Sequence, residues 1–568
     1  MIDVSVADYI FGFLADRGAT VVFVLTGNGS MHVNDAIERE PRLDYVCARN
    51  EAAAPIMASA FSKISGRIGV VSVTSGPGAT NAIPGLAEAW VESSPVIVIS
   101  GQSPTSEFPG LSAPNSLRTF GTAGVDVVPA VRPFTKYAAT VTESHRIRYE
   151  LERAYFTAVN GRPGPVWLDI PMDVQSARVM VDQLEGYSPG QRGAGISLRD
   201  VEKFSSILHG AQRPLIIAGQ GVRQAGAITE LESAVAHWNL PVVLSRLGQD
   251  IFPKSMDLNF GQVGRRGALY SKSLLAEADV VISIGCRLAV QLAGHNLDHF
   301  APDAQVVLID IDSAEIEKFG DQISLPVVAD AGDFLRAALS HLAPNTLPSW
   351  DGWLDRCRGL KAASRIHQAE TPSDPMDLYF FMSKLDEASG PQHIFITDAG
   401  SNYYVGGQVY NFESGQREVT SGTFAAMGTG LPLAVGAAVA APEKQVLAVT
   451  GDGSLELNIQ ELKTISYYNL DIKVFVINNG GYVSMRNWQD TFFEGRRIGS
   501  DDKTGAEGLD FQAVAQAFGM EYKIFDSSDS VAADIQEVMS APGPMFIEVL
   551  CDTKQQIVQP FVETEVSS

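Results

Sequence analysis

Two polar turns in the last third of the chain each follow a short apolar run of the kind that forms a buried parallel strand. They are Gly451-Asp452-Gly453 and Asn478-Asn479, and the segment 458–469 between them carries apolar residues at helical spacing. Parallel strands end at one sheet edge, so Asp452 and Asn479 can offer oxygens to one Mg2+ ion shared with phosphate groups. The predicted helix start beside Asp452 also favours phosphate. The alternative to this metal site is an ordinary Asp-Gly turn at a strand end, followed by an unrelated Asn-Asn turn.

Two further turns, in the first third of the chain, are rich in small residues and also follow apolar runs. Such turns can approach a flat ring or hold an anion, although tight strand-to-helix connections are the alternative. Glu51 stands near them in sequence, at the predicted start of a helix among alanines, where desolvation would favour proton exchange. A glutamate that only complements the helix dipole is the alternative there. The turn residues of interest are Gly27, Asn28, Thr74, Gly76, Pro77 and Asn81.

The elements that position these residues follow one pattern along the whole chain of 568 residues, in which strand-like apolar runs alternate with helical stretches. This pattern predicts an α/β fold with three consecutive doubly wound parallel-sheet domains. Polar stretches with proline or glycine at 187–195 and 343–375 mark the linkers. The predicted domain bounds are 1–182, 190–343 and 370–553, with a C-terminal tail at 554–568.

Composition excludes several functional classes. The net charge of −24 argues against nucleic acid and against an anionic membrane. The four cysteines lack the spacing of a zinc site or a disulfide framework. No apolar run reaches transmembrane length, and the first residues lack the pattern of a secretory leader. We therefore expect a cytoplasmic protein with small-molecule partners.

Taken together, these residues resemble the thiamine-diphosphate-dependent enzymes of the acetohydroxyacid synthase and pyruvate decarboxylase superfamily, over nearly the whole chain. The resemblance implies a pyrimidine-binding, a central and a diphosphate-binding domain, in that order. Asp452, Asn479 and the Gly481 carbonyl would hold Mg2+, and Glu51 would bond the pyrimidine ring. Met427 matches an apolar wedge that keeps the cofactor bent. The other implied cofactor-binding residues are Thr74, Gly76, Pro77, Asn81, Gly451, Gly453, Ser454 and Tyr482.

The resemblance also implies an activity and an assembly. The expected reaction is decarboxylation of a 2-oxo acid, with pyruvate as the expected donor, and transfer of the acyl unit to an aldehyde or ketone. Acetolactate synthase proper and a simple 2-oxo acid decarboxylase stay open as alternatives. In this family the glutamate-bearing and metal-bearing domains meet across two subunits, which implies a homodimer or homotetramer. FAD in the central domain is left open: 285–287 and 308–312 resemble flavin-contacting stretches of the synthases, but some relatives keep the fold and lose the flavin.

The chain departs from the family at positions that bear on specificity. The adjacent histidines of the decarboxylases are missing, since 103–140 contains no histidine, and this favours carboligation. Ala123 lies in the stretch that matches a Phe-Gln-Glu motif of the synthases. Gln291 matches the arginine that binds their acceptor's carboxylate. Trp488 matches their pocket tryptophan, whereas 30–36, 117–121 and 479–486 look more like carboligases that build branched deoxysugars such as yersiniose.

One further candidate could act as a general acid or base, and two others could bind the acceptor. His32 follows the turn at 26–30, and Arg496 and Arg497 lie in a glycine-rich stretch at 492–508 that looks like a mobile lid. A solvated histidine and a solvated surface loop are the alternatives. The predicted catalytic set is Glu51, Gly27, Asn28, His32, Gln102, Gln291 and Trp488.

Overall fold

The described residues of the protein form three six-stranded parallel sheets in succession along the chain, together with one two-stranded antiparallel sheet. The computed structural model describes residues 2–108, 117–190, 195–294, 297, 300–343 and 346–560. Hydrophobic clusters lie on both faces of each six-stranded sheet. The predicted α/β class with three consecutive doubly wound sheets is therefore confirmed.

The first sheet and its helices occupy the first third of the chain. The strands are β1 (Asp3–Ser5), β2 (Val21–Val24), β3 (Asp44–Cys47), β4 (Gly69–Val73), β5 (Val96–Gln102), β6 (Tyr137–Thr140), β7 (Val166–Pro171) and β8 (Arg178–Met180). The helices are α1 (Val6–Asp16), α2 (Met31–Arg39), α3 (Ala53–Ser65), α4 (Pro77–Asn81), α5 (Ile83–Val91), α6 (Val128–Val131), α7 (Ile147–Val159) and α8 (Met172–Ser176). The sheet order is β3-β2-β4-β5-β7-β6, and β1 pairs with β8.

The central sheet reverses its strand order in the middle. Its strands are β9 (Pro214–Ala218), β10 (Val242–Leu244), β11 (Asn259–Gln262), β12 (Val280–Ile284), β13 (Gln305–Asp310) and β14 (Leu325–Val328), in the order β11-β10-β9-β12-β13-β14. Its helices are α9 (Leu198–Gly210), α10 (Gln220–Gln224), α11 (Ile228–Trp238), α12 (Ser271–Glu277), α13 (Val290–Ala293), α14 (Ser313–Glu317), α15 (Ala331–His341), α16 (Asp351–Ala363) and α17 (His367–Glu370). The reversal leaves a crevice at the carboxyl ends of β9 and β12, where ligands of such sheets bind.

The third sheet has the same relative strand order as the first. Its strands are β15 (His393–Thr397), β16 (Arg417–Thr420), β17 (Gln445–Gly451), β18 (Ile472–Asn478), β19 (Glu521–Phe525) and β20 (Met545–Leu550), in the order β16-β15-β17-β18-β20-β19. Its helices are α18 (Leu378–Ala388), α19 (Ser401–Val409), α20 (Gly430–Ala440), α21 (Asp452–Leu455), α22 (Glu461–Tyr467), α23 (Val483–Phe492), α24 (Phe511–Phe518) and α25 (Val531–Ser540). The first and third parts of the chain therefore share one topology.

Small residues let the first and third sheets share one core. A Cβ added at Gly436 of α20 would lie 2.1 Å from the Met57 carbonyl oxygen of α3, so the two helices touch through their backbones. One hydrophobic cluster includes residues of both sheets, such as Phe23 of β2 and Val446 of β17. This contact fixes how the first and third sheets of one chain lie against each other.

Some local predictions differ from the structure. The segment predicted as a single helix at 458–469 forms a 3-10 turn at Glu456–Asn458, and α22 begins only at Glu461. Within this turn, the Asn458 side chain donates to the Gly428 carbonyl. Short strands such as β3 and β19 are partly exposed and lack a continuous apolar run, so the pattern of apolar runs does not predict them.

The domain bounds predicted from the sequence stay predictions. Residues 191–194 and 344–345 of the predicted linkers and 561–568 of the predicted tail lie outside the described residues. Across the ranges that are described, no helix combines the length and the apolar character needed to cross a membrane.

Candidate active site

The Asp452 carboxylate lies at the carboxyl edge of the third sheet and is 3% exposed. Its Oδ1 accepts a hydrogen bond from the Gly453 N–H at 2.7 Å, and its Oδ2 accepts from the Asn479 and Gly481 N–H groups at 3.1 and 2.8 Å. Burial raises the pKa of Asp452, and these three N–H groups oppose the rise. The predicted neighbours Asp452, Asn479 and Gly481 are therefore together.

Arg486 of α23 holds the asparagine-glycine turn in place. Its guanidinium is buried and donates to the carbonyl oxygens of Asn479 at 2.7 Å and Gly480 at 2.5 Å. It also donates to the Ser500 and Thr553 carbonyls, both at 3.0 Å. Burial lowers the pKa of Arg486. Its hydrogen bonds therefore tie the turn to two more distant segments.

A second layer of buried polar groups supports the Gly451–Ser454 turn. Asp398, which follows β15, accepts hydrogen bonds from Ser454 Oγ at 2.5 Å and Thr450 Oγ1 at 2.8 Å. Burial raises the pKa of Asp398. Ser454 Oγ also accepts from the Gly428 N–H at 2.8 Å, next to the predicted wedge residue Met427. Sequence reasoning missed Asp398, although an aspartate directly after a buried strand of the same sheet was a usable signal.

In the first domain, Glu51 lies just before α3 and is partly exposed. Its Oε2 accepts a hydrogen bond from Asn81 Nδ2 at 2.8 Å. A Cβ added at Gly78 would lie 3.4 Å from Glu51 Oε1, so the glycine leaves that oxygen accessible. The structure therefore brings Glu51 and Asn81 together, but the desolvation expected for Glu51 is incomplete within one chain.

The turns after β2 and β4 pack directly against each other. Thr74 Oγ1 accepts from the Gly29 N–H at 3.0 Å, and a Cβ at Gly27 would lie 2.5 Å from Thr74 Cβ. Gly76 has a φ of +59°, and a Cβ there would lie 2.6 Å from the Ala123 carbonyl. Ala123 itself has a φ of +57°. Gly27, Thr74 and Gly76 thus form one surface.

The remaining predicted residues of the first domain have different surroundings. Asn28 and Pro77 are exposed, and His32 is partly exposed in the first turn of α2. Gln102 is buried, and its Nε2 donates to the Asp169 carboxylate and the Val125 carbonyl, both at 2.9 Å. The side chain of Gln102 is therefore committed to the interior rather than presented to a ligand.

Within one chain, no described contact joins the Glu51 part of the predicted site to the Asp452 part. Among the described residues, the hydrogen bonds of the Glu51 and Asp452 side chains stay within their own domains. Glu461 joins the two domains nearby, because its Oε1 accepts from the Arg49 N–H at 2.9 Å. Met427 is 42% exposed, although it is apolar. Sequence reasoning missed Glu461, which only the packing of the domains brings to the Glu51 turn.

A cavity of about 1150 Å³ opens from the crevice of the central sheet. Gly219 and Gly285 line it where the strand order reverses, and a Cβ at Gly219 would lie 2.2 Å from the Gly285 carbonyl. Gln291 lines the same cavity, as does Trp488 of the third domain. The structure therefore brings these two predicted specificity residues to one space.

In the loop after α23, both candidate arginines form ion pairs with nearby carboxylates. Arg497 pairs with Asp490 at 2.7 Å and with Asp501 at 2.8 Å, and the exposed Arg496 pairs with Glu494 at 2.6 Å. This loop is a self-paired surface segment within one chain.

Three family models match the chain, all of them for thiamine pyrophosphate enzymes. The N-terminal TPP binding domain matches residues 4–120, the central domain 201–338 and the C-terminal TPP binding domain 398–549. The chain belongs to the thiamine pyrophosphate enzymes.

Relatives align with this thiamine pyrophosphate enzyme along nearly its whole length. It is 32% identical over 554 residues to the acetolactate synthase large subunit of Corynebacterium glutamicum, covering 96% of the chain and 86% of that protein. It is 31% identical over 564 residues to the acetolactate synthase large subunit of Lactococcus lactis, covering 98% and 94%. Isozyme 1 large subunit of the Escherichia coli synthase is 29% identical over 554 residues, covering 97% and 94%.

The residues at the edge of the third sheet fit a thiamine diphosphate–metal group. The Asp452 carboxylate is buried without an ion-pair partner among the described residues, and a buried carboxylate of this kind calls for a cation. Asn479 is 6% exposed, and within the described ranges its side chain has no hydrogen-bond partner. Gly481 adds a carbonyl oxygen. Oxygen donors of this type suit Mg2+.

Proposed function

We propose that this thiamine pyrophosphate enzyme is a Mg2+-dependent carboligase that decarboxylates a 2-oxo acid, pyruvate, and transfers the acyl unit to an aldehyde or ketone. The observation that carries the proposal is the buried Asp452 carboxylate, which three main-chain N–H groups orient beside Asn479. When bound, thiamine diphosphate supplies the carbanion-stabilising chemistry that both half-reactions need.

The chain's own residues would bind, orient and handle protons. Asp452, Asn479 and the Gly481 carbonyl would hold Mg2+ and through it the diphosphate. Glu51 would accept and return a proton at the pyrimidine ring, with Asn81 orienting its Oε2 from 2.8 Å. Gly78 would let the ring approach the carboxyl, since it has no side chain at that point. Met427 would support the cofactor from its apolar side.

We infer that the complete site forms between two copies of the chain, in a homodimer or homotetramer. Glu51 and Asp452 have no described contact with each other's domain, so each would find its counterpart in the neighbouring subunit. The exposure of the apolar Met427 and Trp488, at 42% and 52%, supports this arrangement. A second subunit would also complete the desolvation of Glu51.

We further infer that FAD occupies the central cavity. Its volume of about 1150 Å³ exceeds that of a pocket for a drug-sized ligand, and it lies where the strand order reverses, which is where dinucleotides bind. The glycines at 219 and 285 allow a close backbone approach. The visible absorption spectrum of the purified protein, and of the supernatant after denaturation, tests for the flavin.

Replacing Glu51 with glutamine tests the proposed chemistry. With thiamine diphosphate and Mg2+ present, Glu51→Gln is expected to lower pyruvate turnover by at least about a hundredfold, because the proton-accepting group is lost. Calorimetric titration is expected to show that cofactor binding is largely kept. Glu185→Gln, at an exposed glutamate in the first third of the chain, is the matched control. Full activity in Glu51→Gln would refute the mechanism.

Acetolactate synthase proper is the second candidate, since the relatives at 32% and 31% identity carry that name. Trp488, which lines the cavity, also matches the pocket tryptophan of the synthases. Product analysis by mass spectrometry separates the candidates: pyruvate is supplied alone, and then with aldehyde and ketone acceptors. If acetolactate forms as fast as any mixed product, the synthase is the better assignment and Gln291 does not exclude a carboxylate-bearing acceptor.

A further inference from the structure

Two glutamates of the first domain share one buried lysine. The Lys63 Nζ atom lies 3.2 Å from a carboxylate oxygen of Glu88 and 3.8 Å from one of Glu92, and all three side chains are buried. Burial alone would lower the pKa of Lys63, but the two carboxylates raise it. One carboxylate balances the charge of one ammonium group, so Lys63 accounts for only one of the two glutamates.

Glu92 differs from Glu88 because its carboxylate also contacts the third domain. Its Oε1 accepts hydrogen bonds from the Thr423 N–H at 2.8 Å and from the Phe424 N–H at 3.2 Å. Among the described residues, the Glu88 carboxylate interacts only with side chains of its own domain. Hydrogen bonds to a charged acceptor are the stronger kind. Glu92 therefore ties the end of α5 to a main-chain segment of the third domain.

The segment that Glu92 holds, at 421–428, connects β16 to α20. Within it, Ala425 has a φ of +53°, a left-handed conformation that is unfavourable for alanine and persists only where surrounding contacts hold it. At the far end of the segment, the Gly428 N–H donates to Ser454 Oγ at 2.8 Å. Glu92 and Ser454 therefore hold the segment on either side of Ala425.

Met427 lies between these two anchors and is 42% exposed, so contacts of its own side chain within one chain do little to fix it. We propose that Glu92 is a positioning residue that holds the 421–428 segment and thereby sets where Met427 meets the cofactor. The inference rests on the proposed function, in which Met427 supports thiamine diphosphate. Glu92 is only 2% exposed, so it would act on the cofactor through this segment rather than by contact.

The first test compares Glu92→Met with Glu88→Met. Each substitution removes one buried carboxylate beside Lys63 and leaves the other, so denaturant unfolding is expected to show similar losses of stability. Only Glu92→Met also removes the acceptor of the two main-chain N–H groups. Hydrogen exchange followed by mass spectrometry is expected to show exchange in 421–428 that is about tenfold faster in Glu92→Met than in Glu88→Met, the loss typical of a charged hydrogen bond. Equal exchange rates in the two variants would overturn the proposal.

The second test measures thiamine diphosphate binding by calorimetric titration, with Mg2+ and excess FAD present. Glu92→Met is expected to raise the dissociation constant by about tenfold or more, whereas Glu88→Met is expected to stay near the wild-type value. Glu92→Gln keeps an acceptor oxygen and is expected to restore most of the affinity. The excess FAD separates this effect from a change in flavin binding, because Glu92 and Thr423 also line the central cavity.

Three results of the titration would overturn the positioning role. They are unchanged affinity in Glu92→Met, an equal loss in Glu88→Met, and no recovery in Glu92→Gln. An equal loss would show that cofactor binding responds to the buried charges in general. If the wild type binds thiamine diphosphate and the variants differ as expected, but no ligation product forms from pyruvate and any acceptor, the proposed reaction fails while the positioning role of Glu92 stands.

Discussion

Replacing Arg486 with methionine removes the donor that holds the Asn479–Gly480 turn while keeping most of the buried apolar volume. The guanidinium makes four hydrogen bonds to carbonyl oxygens, at 2.5 to 3.0 Å. Each hydrogen bond to a charged group contributes about 1.5–3 kcal/mol, but the cost of burying the cation, visible in its lowered pKa, offsets part of this. We expect Arg486→Met to lower the free energy of unfolding by about 3–5 kcal/mol, the range for breaking a buried charged network.

The same substitution is expected to weaken Mg2+ binding, because the Asn479 and Gly480 carbonyls lose their common anchor. Residues that orient metal ligands typically change affinity by about 10–100-fold, so the dissociation constant for Mg2+ in the presence of thiamine diphosphate should rise at least about tenfold. Denaturant unfolding and calorimetric titration measure the two effects. Arg496→Met, at an exposed arginine with one surface ion pair, should change stability by no more than about 0.5 kcal/mol. Unchanged metal binding in Arg486→Met would refute the assigned role of Arg486.

Two further predictions concern other parts of the molecule. Gly285 has a φ of +55°, and a Cβ there would lie 2.7 Å from the Val222 nitrogen, so Gly285→Ala should displace the glycine turn, abolish flavin retention and destabilise the protein by about 1–3 kcal/mol. Flavin content and the thermal midpoint measure this, and wild-type flavin content in the variant would contradict it. Burial raises the pKa of Asp169 from 3.8 to about 7, so the folded state binds the proton more tightly than the unfolded state, and this residue's contribution to stability falls as pH rises between those values. Asp169→Asn should remove a slope of about 1.4 kcal/mol per pH unit in that window, and unfolding curves that keep the wild-type pH dependence would contradict the assignment.

The sheet framework follows from local patterns. Buried central strands are short runs of valine, isoleucine and leucine, and this is why β4, β12, β17 and β18 are recognisable without any tertiary information. Edge strands such as β19 carry charged residues and are partly exposed, so their sequences do not separate them from loops. Their assignment depends on pairing with a neighbouring strand, a contact that sequence patterns do not encode.

Part of the site also follows from local patterns. Asp452 and Asn479 follow adjacent buried strands, and parallel strands necessarily end at one edge, so their proximity is already contained in the sequence. The family resemblance, rather than a local pattern, assigned Glu51 and Asn81 to one cofactor, and in the structure the Asn81 Nδ2 and Glu51 Oε2 atoms lie 2.8 Å apart. The supporting role of the buried Asp398 could have been predicted in the same way, because Asp398 also follows a strand of that sheet.

Only the tertiary structure decided which residues line the central cavity together. Arg265, Gln291 and Trp488 come from a turn, a short helix and another domain, and none of these elements has a local pattern that points to the others. Their convergence depends on how the central and third sheets pack, through contacts such as that of Gln408 with Gly267. The sequence determined the predicted cofactor site because Asp452 and Asn479 follow neighbouring strands of one sheet, whereas the cavity lies between separate domains that only packing brings together.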